Sequence, residues 1–277
     1  TKKYSVSRAA YAKENPQLLK GSIECKLAQT IPTDDFVIVK DGPLPACLEE
    51  VLQIYHDHLH LISLARNVGL GPALGIGLAS CKHELVARMD SDDLSRPQRI
   101  AKQLAVFAQQ PECVLCGGYI EEFIEEPGDL GLVKKVPIET KDIFTFIKRR
   151  NPFNHVTVMF KKSAIMQAGN YQSFYFNEDY ELWIRVLSSH PQVTNLAECL
   201  CDVRVGNGMF ERRGGWKYLK YDYALQKKLL NLGMTSPLEM SMNVALRSAV
   251  RLMPSSFRKH VYTHFLRQNQ GKNTITD

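Results

Sequence analysis

No apolar run in this 277-residue sequence approaches the roughly 20 residues that a helix needs to cross a bilayer. The opening residues, Thr1-Lys2-Lys3-Tyr4-Ser5, lack the apolar core of a secretory signal, so the expectation is cytoplasmic residence. The seven cysteines are odd in number and follow no disulfide framework. Cys113 and Cys116 form a Cys-x-x-Cys, but Cys199 and Cys201 offer only a Cys-x-Cys, which suits zinc poorly. Buried, reduced thiols are the expectation. Basic residues interleaved with aromatics, as a nucleic-acid module requires, are also missing, so no nucleic-acid partner is expected. The net charge of +6 is modest, and its distribution says more than its sum. Beyond Arg204 the chain carries many Lys and Arg and few acids, which points that portion toward an anionic partner.

What the chain does have is an acidic cluster. From Val86 to Pro97 it reads Val-Ala-Arg-Met-Asp-Ser-Asp-Asp-Leu-Ser-Arg-Pro, with Asp90, Asp92 and Asp93 directly after an apolar run. Carboxylates this close repel one another, and burial raises the cost, so a cation is the natural offset. An oxygen-only donor set suits Mg²⁺ or Mn²⁺, with the remaining positions left to water or phosphate. On these residues alone, a solvated acidic turn or a helix cap is an equal alternative.

The surrounding pattern bears on that choice. Tyr4 to Tyr11 reads as a strand, Pro16 to Gln29 as a helix, and Asp35 to Val39 as a central strand. Leu44 to Tyr55 is a second helix, Leu59 to Leu64 a third strand, and Leu85 to Met89 a fourth, with an apolar helix through Ala79 before it. This alternation predicts an α/β fold with a parallel sheet and helices on both faces. Ligands of such sheets bind beyond the carboxyl ends of the strands. Asp41, Arg66-Asn67 and Asp90–Asp93 all fall there, and three polar clusters at one edge predict a site.

Further along, helices are expected from Pro97 to Gln109, Thr140 to Arg149 and Lys162 to Ala168. Strands are expected at Cys113 to Gly117, Tyr119 to Ile124, Val156 to Phe160, Val193 to Leu196 and Cys199 to Val205. Glu178 and Asp179 open another helix, at the positive end of its dipole. His155 follows Asn151-Pro152-Phe153-Asn154 on a loop that should overhang the site, where a buried, hydrogen-bonded role fits equally. His56, His58 and His60 straddle a helix-to-strand joint and read as surface residues. Arg8 stands in a central strand, a costly place for a charge without a partner.

A boundary near Gly206 divides residues 1–205 from a basic, amphipathic helical region over 206–277. Leu219, Tyr223, Leu225 and Leu229 lie among Lys220, Lys227 and Lys228, and Phe257 to Leu266 repeats the pattern. These helices are read either as lying on an anionic membrane or as packing on the first domain with their charges in solvent.

Taken in order, the motifs resemble glycosyltransferase family 2, the inverting nucleotide-sugar transferases with a GT-A fold. They are Tyr11 with Glu14, Val39-Lys40-Asp41-Gly42, Arg66-Asn67-Val68-Gly69-Leu70, Asp90-Ser91-Asp92-Asp93 and Glu178-Asp179-Tyr180-Glu181-Leu182-Trp183. Arg212-Arg213-Gly214-Gly215 and Arg251-Leu252-Met253-Pro254 are similar to the bacterial surface-polysaccharide branch. The resemblance implies a Rossmann-like, mostly parallel sheet with a C-terminal helical appendage. It also implies a metal-dependent transferase moving one sugar, from a UDP-sugar, to a lipid-linked acceptor on the inner face of the membrane. Asp92, supported by Asp90, would hold Mn²⁺ or Mg²⁺, and Asp179 would be the general base. Tyr11 and Asp41 would meet the base, Glu14 the ribose, and Arg66, Asn67, Arg88 and Ser91 the rest of the nucleotide sugar. Glu178 and His155 would lie on the acceptor side. Gly75 stands where relatives often have Asn, and the processive Gln-x-x-Arg-Trp signature is absent, which implies one sugar per cycle. The alternative is a catalytically silent nucleotide- or carbohydrate-binding module on the same fold. Arg8 in the first strand favours that alternative, and Asp92 with Asp179 favours transfer.

Overall fold

The β-branched run predicted as a central strand is one. In the computed structural model, which describes residues 3–174, 177–206, 216–252 and 268–269, its side chains alternate between two hydrophobic layers. The first third of the chain runs β1 (Tyr4–Ala10), α1 (Pro16–Leu27), β2 (Phe36–Lys40), α2 (Ala46–Ile54), β3 (His60–Ser63), α3 (Leu70–Ser80) and β4 (Leu85–Arg88). A short β5 (Leu94–Ser95) leads to α4 (Arg99–Gln109), β6 (Leu115–Phe123), β7 (Leu132–Lys134) and α5 (Thr140–Ile147). Then come β8 (Met159–Lys161), α6 (Lys162–Gln167), α7 (Glu178–Ser189) and β9 (Val193–Arg204). Two further helices, α8 (Trp216–Asn231) and α9 (Pro237–Leu252), precede β10 (Gln268–Asn269).

Local chemistry explains several boundaries. Asn15 caps α1 by accepting from the amides of Gln17 and Leu18, and Pro16 follows it where a missing N–H costs nothing. Val37 and Val39 face α3, α7 and α8, whereas Phe36 and Ile38 face α1, α2 and α4. The sheet order is β10-β7-β6-β8-β4-β1-β2-β3, with β9 beside β6 and β5 beside β9. β3, β2, β1 and β4 are mutually parallel, and β8 turns antiparallel against β4. Among the described residues no helix is long and apolar enough to cross a membrane.

Three expectations need correction. Residues 115–123 form one strand, β6, rather than the two expected. Gly117 and Gly118, where the two expected strands divide, lie mid-strand, and Asn195 and Leu200 occupy the space their side chains would need. Likewise β9 is one strand, with its register against β6 shifting around Tyr119. The stretch before β8 is a 3-10 turn over His155–Thr157, closed by the amide and hydroxyl of Thr157 donating to the Asn154 carbonyl.

The C-terminal helices pack on the sheet domain. Leu225 and Leu229 of α8 join the core around Trp183, so they are not part of an outward surface. Lys228 reaches inward to Glu181. Arg212–Gly215, Met253-Pro254 and the stretch from Phe257 to Leu266 lie outside the described residues. All seven cysteines are free, and Cys81, Cys113, Cys116 and Cys201 are buried, in line with structural thiols.

Behind the acidic cluster lies a buried cation. Lys26 of α1 is fully enclosed, and its Nζ donates to Ser95 Oγ of β5 at 3.2 Å. Burial first, and Arg99 second, lower its ammonium to about 7. Between about pH 7 and 10.5 the unfolded chain therefore holds more protons than the folded one. Stability contributed by this side chain is present above that window and is lost as the pH falls toward 7. Lys26→Met should remove this dependence. In urea unfolding, the variant's stability relative to the parent should fall by ~2–4 kcal/mol between neutral pH and the top of that window. Parallel pH profiles for the two proteins would count against it.

Candidate active site

The parallel register places the ends of β1, β2, β3 and β4 along one edge. Ala10 pairs with Lys40, Lys40 with Ser63, and Ser7 with Arg88. Tyr11, Asp41, Arg66-Asn67 and Asp90–Asp93 follow those positions directly, so the three polar clusters converge as their spacing implies. Because β8 runs antiparallel to β4, its entrance arrives at the same edge, with the Arg88 amide donating to the Val158 carbonyl at 2.9 Å. That geometry delivers His155.

Tyr11 is exposed at the rim, as are Arg66 and Asn67. Asp41 is buried and spends both oxygens on the chain itself, accepting from the amides of Val68 at 2.6 Å and Gly69 at 3.1 Å. Each oxygen keeps a lone pair for a ligand. Gly42, at a φ of 90°, lets the loop at Asn67 come close, since a Cβ there would sit 2.8 Å from the Asn67 nitrogen. Glu14 is buried: its carboxylate meets the Arg8 guanidinium at 3.0 Å and also bonds Ser91. This pairing resolves the charge in the central strand. Arg8 also donates to Ser22, and its partnership with Glu14 joins β1 to the loop before α1.

The acidic cluster divides its work. Asp90 accepts from Arg88 Nη2 at 2.5 Å. Burial opposes its ionisation, but Arg88, His155 and Arg8 outweigh this and hold the carboxyl below its usual range. Asp92 is exposed, and its carboxyl is raised by desolvation and then by Asp90. Asp93 is buried and raised furthest, by desolvation and both neighbours, while accepting from the Arg204 amide at 3.0 Å. It ties the loop to β9 and is structural.

Among the described residues no group of three or more His, Cys, Asp or Glu is placed to hold a metal ion by itself. The donor set at Asp90 and Asp92 still fits a hard divalent cation. It is all oxygen, Asp92 faces outward, and the repulsion that raises Asp92 is what a cation relieves. Such a site is completed by phosphate oxygens or water rather than by further side chains.

Across the edge, α7 begins with Glu178 and Asp179. Asn151 Nδ2 donates to Asp179 Oδ2 at 2.6 Å, and Asn151 is itself held by the Phe153 amide. His155 bonds the Tyr171 hydroxyl through Nε2 at 2.9 Å and stacks edge-on against Trp183. Burial first, then Arg88, lower the His155 imidazole to about 4, although Asp179 and Asp90 pull the other way. It is neutral at pH 7. Tyr171 is raised by burial and feels Arg88, Asp179, Asp90 and Glu178 as well. Both Asp90 and Asp179 thus act on the same His155–Tyr171 pair.

Small residues on α3 allow this meeting. A Cβ at Gly71 would lie 2.2 Å from the Gln172 carbonyl oxygen and 3.2 Å from Glu178 Cγ, and one at Gly75 would meet Asn170. Asn170 Nδ2 instead donates to the Gly75 carbonyl at 3.0 Å. The 170–172 segment can therefore lie against α3 and lead into α7. Asn151, Tyr171 and the Arg8–Glu14 pairing are contributions that sequence reading missed, and no local pattern marks the first two. A separate cavity of about 710 Å³, lined by residues such as Arg96, Lys102, Tyr119 and Glu198, includes none of these groups.

Residues 9–171 match the sequence model of the family described as Glycosyl transferase family 2. The chain is 37% identical over 261 residues to the amylovoran biosynthesis glycosyltransferase AmsE of Erwinia amylovora, covering 94% of this chain and 97% of that one. It is 35% identical over 270 residues to the Escherichia coli UDP-Gal:alpha-D-GlcNAc-diphosphoundecaprenol beta-1,3-galactosyltransferase, covering 97% and 98%. In structure it is similar to S. aureus TarS 1-349 in complex with UDP-GlcNAc, with a TM-score of 0.64 at 15% identity over 94% of this chain and 75% of that one.

Proposed function

The chain belongs to glycosyl transferase family 2, and from that premise we propose that it moves one sugar, with inversion, from a UDP-sugar to a hydroxyl of a lipid-linked oligosaccharide. It is a glycosyltransferase of polysaccharide biosynthesis. The UDP donor and the lipid-linked acceptor are supported by the substrates named for the Escherichia coli relative, and the donor also by the UDP-GlcNAc complex of TarS. The observation that carries the reading is the meeting at one sheet edge of the Asp90–Asp92 cluster after β4 and the Asn151-held Asp179 at the start of α7, both near enough to His155 and Tyr171 to act on them.

Each group has a task its surroundings allow. A leaving diphosphate needs its developing charge neutralised, and Asp92 with Asp90 would hold the Mn²⁺ or Mg²⁺ whose Lewis acidity does so. Arg88 keeps Asp90 ionised for that purpose. Asp179 accepts the proton of the acceptor hydroxyl as it attacks the anomeric carbon. Asn151 holds one oxygen of Asp179 and so orients the other. His155 stays neutral and adds no charge between base and leaving group. Tyr11, Arg66 and Asn67 line the rim for the nucleotide, with Asp41 and Ser91 behind them, and Glu178 flanks the acceptor side. Glu14 acts through Arg8 in this conformation. Arg8, the feature that favoured a silent binding module, is paired with Glu14 in the strand.

A panel of nucleotide sugars assayed for donor hydrolysis, with and without Mn²⁺, tests the reading. A UDP-sugar should be hydrolysed, and faster with the metal. A protein that binds UDP-sugars but turns over none, with or without an acceptor lipid, would be the silent module.

A further inference from the structure

The outer face of α9 inverts the usual order of a surface helix. Leu238, Met242 and Leu246 recur every fourth residue and are 71%, 62% and 67% exposed. Ser241 and Ala245 lie between them and Ala249 follows, also exposed. The charged side chains described on this helix point the other way. Glu239 pairs with Lys148 at 3.2 Å and Arg247 with Asp222 at 2.5 Å, both against the rest of the protein. A helix that only covers a core puts its apolar stripe inward and its charges in water. Here, among the described residues, the outward stripe carries no charge.

Beside it, α8 exposes Lys220, Tyr223 and Lys227. A groove of about 300 Å³ between the two helices is lined by Leu219, Lys220, Tyr223, Val244 and Ser248. The sequence from residue 206 onward holds twelve Lys and Arg against four Asp and Glu, so this region carries more than the whole positive charge of the chain. An apolar row, a tyrosine and flanking lysines on a net-positive region match an anionic bilayer surface, with side chains entering the acyl boundary and ammonium groups at the phosphates.

We propose that the outer face of α9, with Lys220, Tyr223 and Lys227 of α8, is the surface by which this protein lies on an anionic membrane. The inference rests on the reading of a lipid-linked acceptor and names the surface that would bring the site to it. It differs from the sequence reading in that Leu225 and Leu229 are core, while Leu238, Met242 and Leu246 form the exposed row.

The test is sedimentation of the full chain with vesicles of phosphatidylcholine alone and of phosphatidylcholine mixed with phosphatidylglycerol, at low and high salt. The parent should pellet with the anionic vesicles and be released by salt. The double variant Met242→Glu/Leu246→Glu should bind about tenfold or more weakly, and Lys220→Glu/Lys227→Glu should lose its preference for the anionic lipid. Ile54→Glu, at an exposed apolar residue on α2, should bind as the parent does. UDP-sugar hydrolysis without vesicles, measured on the same samples, reports on the transferase reading separately. The proposal fails if the parent stays in the supernatant, or if the Met242/Leu246 variant binds unchanged. It also fails if light scattering shows a dimer that this variant dissociates and no vesicle binding, since the face would then belong to a second copy.

Discussion

Asp179→Asn is expected to lower turnover by roughly 10²–10⁴-fold while leaving UDP affinity as it is, the range that loss of a general base produces. Asp179 is the second residue of α7, where the helix dipole favours a carboxylate. Its Oδ2 is held by Asn151 at 2.6 Å, a contact that fixes the orientation of the carboxylate. The amide replacement keeps shape and removes the ability to accept a proton, so packing around Tyr180 and Trp183 should be undisturbed. Turnover on a lipid diphosphate saccharide acceptor, together with calorimetry of UDP binding, separates the two effects. Near-normal turnover in the variant would take Asp179 out of the mechanism. Loss of UDP binding in parallel would mean that the change had spread to the donor side.

Asp92→Ala should abolish the metal-dependent part of donor binding, weakening UDP affinity in Mn²⁺ by at least ~10–100-fold. The fold should stay intact. Asp92 is exposed, and its charge helps to raise Asp93, so removing it relieves repulsion rather than a contact. The same electrostatics set the pH dependence of the parent. Because the Asp92 carboxyl is raised above its ordinary value, metal-assisted UDP binding should weaken as the pH falls through that raised range. Calorimetry with UDP and Mn²⁺ across pH decides it. If the variant retains the parent's metal-dependent affinity, Asp92 is not a ligand.

Much of this protein is legible in its sequence, for a physical reason that differs from element to element. Phe36–Lys40 and Leu85–Arg88 are short apolar runs buried on both faces, and such runs carry their structure in their composition. In a parallel sheet, the residues that follow each strand share one edge. The meeting of Asp41, Arg66-Asn67 and Asp90–Asp93 therefore follows from alternation alone. Tertiary structure decided what those side chains do there. That Glu14 pairs with Arg8 depends on a buried guanidinium six residues earlier, to which its carboxylate lies at 3.0 Å. That Asn151 holds Asp179, and Tyr171 holds His155, depends on β8 reversing direction against β4 and on Gly71 and Gly75 admitting the 170–172 segment. The expected division at Gly117 and Gly118 falls mid-strand, because the reason for a missing side chain sits on β9. The C-terminal helices show the same limit. Periodicity reveals that α8 and α9 are amphipathic, but only their packing shows that Leu225 and Leu229 go inward while Leu238, Met242 and Leu246 remain outside. A helix with apolar residues on more than one face does not say which face meets the protein, since the hydrophobic effect has no direction of its own.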